Sequence, residues 1–169
     1  NEVDPILVKF GGGCRDIEAR VIQTGSGPMV IVHILVDCRD AMGANAVNTM
    51  AETIAPKIES ITGGTVILRI ISNLAVHRLA RVSAVFSPVE MSDSGDDAER
   101  GAQVIDGVIQ AYHFAEADPF RATTHNKGIM NAISAVAIAC GQDWRAIESG
   151  AHSYASHDRT YGSLTKWSK

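Results

Sequence analysis

The first residues that could do chemistry lie in segment 37–45, which has the sequence DCRDAMGAN. A predicted strand ends there and a predicted helix begins, with Asp40 as the expected N-cap and Gly43 in the first turn. The free N–H groups of a helix N-terminus bind phosphate readily, and a glycine allows close approach to the backbone. The alternative is an ordinary capped helix start. The chain contains no GxGxxG or GxxxxGK[ST] sequence, so neither a Rossmann fold nor a P-loop is indicated.

A second candidate is segment 121–131, RATTHNKGIMN. Lys127 and Asn131 are four residues apart and would share one helix face. We expect Lys127 at the start of a helix of mostly small residues that runs to about Cys140. Burial of a lysine there is costly without a partner, and Asp143 could be that partner. Such a pair can polarise a carbonyl at an active site, whereas the alternative is a solvated lysine at a helix end.

Metal and disulfide sites are not indicated. The six histidines include no HExxH sequence, and His152 and His157 are five residues apart, a poor spacing for two ligands on one helix face. Cys14, Cys38 and Cys140 are an odd number without CxxC spacing, which favours reduced thiols in a cytoplasmic protein.

The composition of the 169 residues is globular, with 46% hydrophobic residues, a mean hydropathy of +0.05 and a net charge of −4. No apolar run approaches the ~20 residues of a membrane span. There is no basic stripe, and aromatic residues make up only 5%, so a nucleic-acid partner is not expected. No signal peptide is visible.

The first part of the chain predicts a small α+β domain. Its expected elements are strands at 17–24, 29–37 and 65–71 and a helix whose apolar stripe covers 47–61. The glycine-containing segment 25–28 predicts a hairpin turn, Pro56 predicts a kink or break in the helix, and Gly63 predicts its end. The three glycines at 11–13 predict a tight turn or a flexible loop. The arrangement indicates an antiparallel, ferredoxin-like sheet covered by one helix.

The remainder predicts part of a helix-rich α/β domain. The expected elements are a strand at 81–86, an acidic solvated loop with a helix cap at 90–100, a helix at 104–115 and the small-residue helix. Asp118 and Pro119 are expected to stop the first of these helices. The small side chains of the second favour a central buried helix. We therefore predict two domains, 1–75 and 76–169. The chain begins with Asn1 and not with Met, so we expect a piece of a longer protein.

Three motifs together resemble hydroxymethylglutaryl-CoA reductase in its bacterial class II form. DAMGAN at 40–45 is similar to the dinucleotide-binding motif of that family. THNKGIMN at 124–131 and GQDWRA at 141–146 are similar to the segments that carry its catalytic lysine and aspartate. The motifs occur in the family's order, and the likeness extends over essentially the whole chain.

The resemblance implies interconversion of hydroxymethylglutaryl-CoA and mevalonate plus CoA by two hydride transfers. A thioester becomes a hemithioacetal, then an aldehyde, then an alcohol, with charge developing on one oxygen throughout. Lys127 would stabilise that oxygen, and Asp143 would hold Lys127 in place. Arg121 and Asn131 would bind the polar and carboxylate groups of the substrate, and Asn73 would lie near substrate and nicotinamide.

The resemblance also implies a cofactor site in the small domain. Asp40, Met42, Gly43 and Asn45 would line the dinucleotide. Asp4 stands where class II enzymes carry an acid near the adenosine ribose. A carboxylate there accepts a hydrogen bond from the 2′-hydroxyl and repels a 2′-phosphate, which favours NAD over NADP.

The chain departs from the family in extent. The glutamate that donates a proton and the C-terminal histidine that protonates the CoA thiolate have no counterpart here, so we expect an internal fragment that is inactive alone. The family resemblance implies a homodimer or larger homo-oligomer for the parent protein. Two alternatives remain: a non-catalytic α+β scaffold, and a general dinucleotide- or phosphate-binding module.

Overall fold

The structure, a computed structural model, describes residues 2–93 and 95–169. The chain divides after Ile71 into two compact units. The first unit contains α1 (Pro5–Lys9), β1 (Gly13–Thr24), β2 (Gly27–Asp37) and α2 (Ala44–Thr62), and the second contains α3 (Ala98–Ala117), α4 (Pro119–Ala139) and α5 (Trp144–Tyr154). The predicted α+β class is confirmed.

The strands β1 and β2 form an antiparallel hairpin that brings Gly13 opposite Asp37 at its open end. At the closed end Thr24 pairs with Gly27, whose φ of 102° is a left-handed conformation that glycine tolerates. The Thr24 hydroxyl donates to the Gly27 carbonyl at 2.7 Å. Both strands begin earlier than predicted. Strand β1 begins at Gly13 and not at Ile17, because the end of the glycine-rich segment pairs with β2, and β2 begins at Gly27 and not at Met29.

Helix α2 begins at Ala44, with Gly43 as its N-cap at a φ of 91°. The prediction that Asp40 caps this helix is wrong, since no side chain caps it. The helix continues through Pro56 without a break and ends at Gly63, which is left-handed as expected of a helix C-terminus. The N-terminus of α2 is therefore a turn of backbone N–H groups without a side-chain acceptor.

The predicted strands at 65–71 and 81–86 are wrong, because neither segment is a strand in the structure. In the first segment, two backbone N–H groups bond to side chains of α2 and not to a neighbouring strand. Val66 N donates to Glu59 Oε1 at 2.7 Å, and Ile71 N donates to Asn48 Oδ1 at 2.9 Å. Local side-chain acceptors thus replace the ladder that a third strand requires. The ferredoxin-like arrangement stays a prediction.

Helices α3 and α4 meet at Asp118, which ends α3 and caps α4 by accepting from Arg121 N at 2.8 Å. Pro119 occupies the first turn of α4, where its missing N–H costs nothing. The predicted start of this helix at Lys127 is therefore wrong, and Lys127 lies well inside a 21-residue helix. Asp118 and Pro119 therefore not only end α3, as expected, but also begin the next helix.

Helix α4 packs against both α3 and α5, as expected of a central helix. Its buried face carries four residues: Ala122, Asn126, Met130 and Ala137. Other apolar side chains of α4 are exposed, including Val136 at 64% and Ile138 at 59%. The prediction of a buried helix thus holds for one face of α4 among the described residues.

Candidate active site

Lys127 and Asn131 lie on the wall of a cavity of about 320 Å³ in the second unit. They stand one turn apart on α4, because residues four apart in a helix share a face. Trp144 and Glu148 of α5 line the same cavity. Two polar side chains of α4 and a carboxylate of α5 therefore border one space large enough for a small polar group.

The Lys127 ammonium forms no ion pair with another side chain in the part of the chain that the structure describes. Its side chain is exposed to solvent, so it carries no burial cost. Glu148 places a carboxylate on the same cavity and lies 3.9 Å from His152 Nε2. The Lys127 ammonium is thus available to an oxygen that enters the cavity.

Asp143 is the N-cap of α5, where its carboxylate accepts from Ala146 N at 3.1 Å. No ion pair joins it to Lys127 within residues 95–169. It directly precedes Trp144, which lines the cavity. The structure therefore gives Asp143 a capping role at the start of α5, outside the lining of the cavity, and its predicted support of Lys127 stays a prediction.

Arg121 and Asn73 lie outside the lining of this cavity. Arg121 is in the first turn of α4, six residues before Lys127, and therefore on a different face of the helix. The backbone carbonyl of Asn73 packs against α5, only 2.5 Å from where a Cβ at Gly150 would stand. A side chain larger than that of glycine at position 150 would push the Asn73 segment away from α5.

A buried polar network anchors the C-terminal segment to α3 and α4 next to Lys127. The fully buried amide of Asn126 donates to the Gly162 carbonyl and accepts from Leu164 N, both at 2.9 Å. Glu116 of α3 accepts from Ser163 N at 3.1 Å and pairs with Arg159. These contacts hold α4 against residues far along the chain, which limits rotation of the helix that carries Lys127.

His125, also on α4, joins this segment through Nε2, which lies 2.9 Å from the Thr165 hydroxyl. Partial burial lowers the pKa of His125, the nearby charge of Arg121 lowers it further, and Glu116 opposes both. The imidazole is therefore neutral at neutral pH.

The contributions of α5 and of Ser134 to the cavity were not predicted from the sequence. The Ser134 oxygen is buried and has no hydrogen-bond partner among the described residues. Its position was available from spacing, since residues 127, 131 and 134 follow the i, i+4, i+7 pattern of one helix face. Trp144 and Glu148 required recognition that Asp143 begins a helix.

The predicted cofactor residues lie around the start of α2 in the first unit. Asp40, Met42 and Asn45 are exposed, and Gly43 is the N-cap. The other described helices have an aspartate N-cap whose carboxylate accepts a backbone N–H: Asp4 for α1, Asp97 for α3, Asp118 for α4 and Asp143 for α5. Helix α2 lacks such a carboxylate, so its N-terminal N–H groups fit the phosphates of a dinucleotide.

Asp4 caps α1 by accepting from Leu7 N through Oδ1 at 2.8 Å. Its other carboxylate oxygen, Oδ2, has no hydrogen-bond partner among the described residues. The side chain is partly exposed. Asp4 can therefore cap the helix and still accept a hydrogen bond from a ribose hydroxyl.

No helix among residues 2–93 and 95–169 has the length and apolar character to cross a membrane. No group of three or more His, Cys, Asp or Glu side chains in these ranges is arranged to hold a metal ion.

Two curated reductases with the same name are similar to this chain in sequence. It is 64% identical over 156 residues to the 3-hydroxy-3-methylglutaryl-coenzyme A reductase of Archaeoglobus fulgidus, covering 92% of this chain and 34% of that protein. A probable enzyme of the same name from Borreliella burgdorferi is 33% identical over 168 residues, covering 98% of this chain and 38% of that protein. The chain thus spans little more than a third of these curated relatives.

Solved structures agree with these sequence relatives. The 3-hydroxy-3-methylglutaryl-coenzyme A reductase of Streptococcus pneumoniae superposes with a TM-score of 0.86 at 40% identity, covering 99% of this chain and 39% of that one. A class II enzyme structure from the same organism, described as bound to NADPH in open conformations, matches equally well and is covered to 40%. The family model for hydroxymethylglutaryl-coenzyme A reductase matches residues 1–169. The chain therefore belongs to the hydroxymethylglutaryl-coenzyme A reductase family.

Proposed function

We propose that the protein containing this chain interconverts hydroxymethylglutaryl-CoA and mevalonate plus CoA with a nicotinamide dinucleotide. The observation that carries the proposal is the pairing of Lys127 and Asn131 on one cavity wall in a chain of this family. The chain covers only 34% and 38% of its two curated relatives, so the proposal concerns the complete polypeptide. The 169 residues alone are expected to be inactive, because the family's catalytic glutamate and histidine have no counterpart in them.

Lys127 is proposed to stabilise the oxygen on which negative charge develops as the thioester is reduced. A fixed donor at such an oxygen contributes on the order of 3–4 kcal/mol to the transition state. Lys127 is exposed and makes no ion pair among the described residues, which supports this role because the ammonium is accessible to a substrate oxygen. A bound nicotinamide supplies or accepts the hydride at the adjacent carbon.

Three further residues are proposed to bind substrate. Asn131 donates or accepts a hydrogen bond at the cavity wall beside Lys127. Arg121 binds the substrate carboxylate, for which a guanidinium is the best-matched donor. Asn73 lies near substrate and nicotinamide. Asp143, which directly precedes the cavity-lining Trp144 in sequence, is proposed to keep the Lys127 ammonium oriented and charged when the site is complete.

The cofactor is proposed to bind the first unit, within predicted domain 1–75, and the thioester to bind within 76–169. Gly43 and the α2 N-terminus receive the phosphates, and Asp40, Met42 and Asn45 line the dinucleotide. The partly exposed Asp4 favours NAD over NADP, because its carboxylate repels a 2′-phosphate. A relative from S. pneumoniae that is 40% identical to this chain is described as bound to NADPH. The preference for NAD over NADP must therefore be tested in the present protein itself. Following the family resemblance, we further propose a cytoplasmic homodimer or larger homo-oligomer.

The test is oxidation of mevalonate in the presence of CoA by the complete polypeptide, with NAD and NADP compared. We expect turnover that requires both mevalonate and CoA, and a kcat/KM that is higher for NAD than for NADP. Turnover with a preference for NADP would contradict only the proposed role of Asp4. Absence of turnover with either dinucleotide would contradict the proposed reaction. Dinucleotide binding without turnover would then favour a binding module, and absence of both would favour a non-catalytic scaffold.

A further inference from the structure

Arg39 has the left-handed backbone that side chains rarely adopt, with a φ of 51°. No other non-glycine residue within 2–93 and 95–169 has a positive φ. In this conformation the Cβ crowds the following carbonyl, so the residue must be held by its surroundings. Residues held in this way concentrate at functional sites. Arg39 directly precedes Asp40, the first residue proposed to line the dinucleotide.

Three interactions of Arg39 hold this conformation. Its backbone N–H donates to Asp37 Oδ1 at 3.0 Å, and its Nε lies 3.7 Å from Asp37 Oδ2. Its Nη2 donates to the Gly11 carbonyl at 2.6 Å. The backbone hydrogen bond from Arg39 and then the side-chain hydrogen bond from Arg15 lower the pKa of Asp37, so this acceptor stays ionised.

The Gly11 carbonyl belongs to a loop packed tightly against the end of β2. A Cβ at Gly12 would stand 2.6 Å from the Asp37 carbonyl and 2.7 Å from the Leu7 side chain. Leu7 lies in α1, and its N–H is the group that Asp4 caps. A continuous series of contacts therefore runs from Asp4 through α1 and the glycine loop to Arg39.

We propose that Arg39 is a positioning residue of the dinucleotide site. Arg15 Nη2 also donates to the Gly11 carbonyl and to Asp37 Oδ2. Together with Arg15, Arg39 ties the Gly11 carbonyl to Asp37 and so sets the separation between Asp4 and segment 40–45. These are the two places proposed to bind neighbouring parts of one ligand, the adenosine ribose and the phosphates. A ligand that contacts the protein at two places binds tightly only if those two places already have the correct separation. If they must be ordered when the ligand binds, that ordering costs affinity. The inference rests on the proposed cofactor site.

The test compares Arg39→Gly with Arg39→Met in the complete polypeptide. Both changes remove the guanidinium, but glycine relieves the left-handed strain while methionine retains a Cβ. NADH is titrated by its fluorescence, and the midpoint temperature of unfolding, Tm, is measured in parallel. We expect both variants to raise the Kd for NADH about tenfold, with Tm higher for glycine than for methionine. Arg39→Lys should recover part of the affinity, because it restores one donor.

Arg20→Met is the matched control, since Arg20 is an exposed arginine of β1. It should leave both Kd and Tm unchanged. Wild-type affinity in both Arg39 variants would overturn the positioning role. If NADH affinity instead changed in parallel with Tm, so that Arg39→Gly bound tightly and Arg39→Met weakly, Arg39 would have only a structural role. That result would also overturn the positioning role. Failure of the wild-type protein to bind either NADH or NADPH would instead contradict the proposed function, and with it this inference.

Discussion

Asn126 and Gly162 are joined by a hydrogen bond of 2.9 Å from the side-chain amide to the backbone carbonyl. The amide is fully buried, and the two residues are 36 positions apart in the sequence. Its oxygen accepts from Leu164 N, so both ends of the side chain are satisfied by one distant segment. The residue that follows Asn126 is Lys127. The catalytic lysine of the proposed mechanism is thus adjacent in sequence to the best-anchored polar residue of α4.

Asn126→Leu is expected to lower the free energy of unfolding by about 2–4 kcal/mol. The change leaves the Gly162 carbonyl and the Leu164 N–H without partners in a buried place. Asn131→Ala is the matched control, because Asn131 is an exposed asparagine of the same helix. It should change stability little and reduce turnover instead. Chemical denaturation of both variants measures the difference, and equal stability losses would contradict the anchoring role.

His125 predicts a dependence of stability on pH. Burial first and Arg121 second lower its pKa in the folded protein, whereas the unfolded chain has a pKa of about 6.5. The unfolded state therefore binds more protons as the pH falls below that value, and stability is lost. It is fully present above that pH.

His125→Gln removes this titration and keeps a donor for the Thr165 hydroxyl. Tm measured between neutral pH and about 5.5 should fall less steeply in the variant than in the wild type. His33→Gln, a change at an exposed histidine of β2, should leave the slope as it is. An unchanged slope in His125→Gln would show that another group carries the effect.

Asp143 offers a way to separate capping from catalysis. Asp143→Asn keeps an oxygen that can accept from Ala146 N but removes the charge, so Tm should hold while turnover falls. Asp143→Ala removes the acceptor too and should also cost about 1 kcal/mol of stability. Steady-state kinetics and thermal unfolding of both variants provide the comparison. Wild-type turnover in Asp143→Asn would limit Asp143 to its role as the cap of α5.

Gly43→Ala should impair both folding and cofactor binding. The φ of 91° at Gly43 strains any residue with a Cβ, at a cost of about 1–2 kcal/mol. The added Cβ also obstructs approach of a phosphate to the N-terminus of α2. Gly107→Ala in α3 is the control, because a Cβ there meets no atom within 4 Å and alanine favours helix. Dinucleotide affinity that survives Gly43→Ala would place the phosphates elsewhere.

The sequence predicted the elements whose signals are local. The hairpin and the end of α2 follow from glycines and alternating apolar residues, and the helical spacing of Lys127 and Asn131 follows from period alone. Aspartate is a common N-cap and Asp40 therefore fits that position in the sequence, but the left-handed Gly43 is the N-cap of α2. Pro119 is a typical stop signal for the preceding helix, but proline also begins helices, as it does in α4.

The missed features depend on contacts between distant residues. The segment 65–71 has the composition of a strand, yet Glu59 and Asn48 take up two of its N–H groups. The bonds from Asn126 to residues 162–164 join positions almost 40 apart, which no local pattern indicates. The role of Arg39 depends on a positive φ in a residue that does not favour it. Motif resemblance located the candidate site residues where such tertiary information was lacking.

The most direct test of the account is the kcat for mevalonate oxidation by Lys127→Met in the complete polypeptide. Methionine preserves the length and apolar stem of the side chain but removes the ammonium. With NADH affinity and Tm unchanged, we expect kcat to fall by about 10²–10³, the loss typical of removing one oxyanion donor. A kcat within a few-fold of the wild-type value would contradict the assignment of Lys127 as the group that stabilises the substrate oxygen.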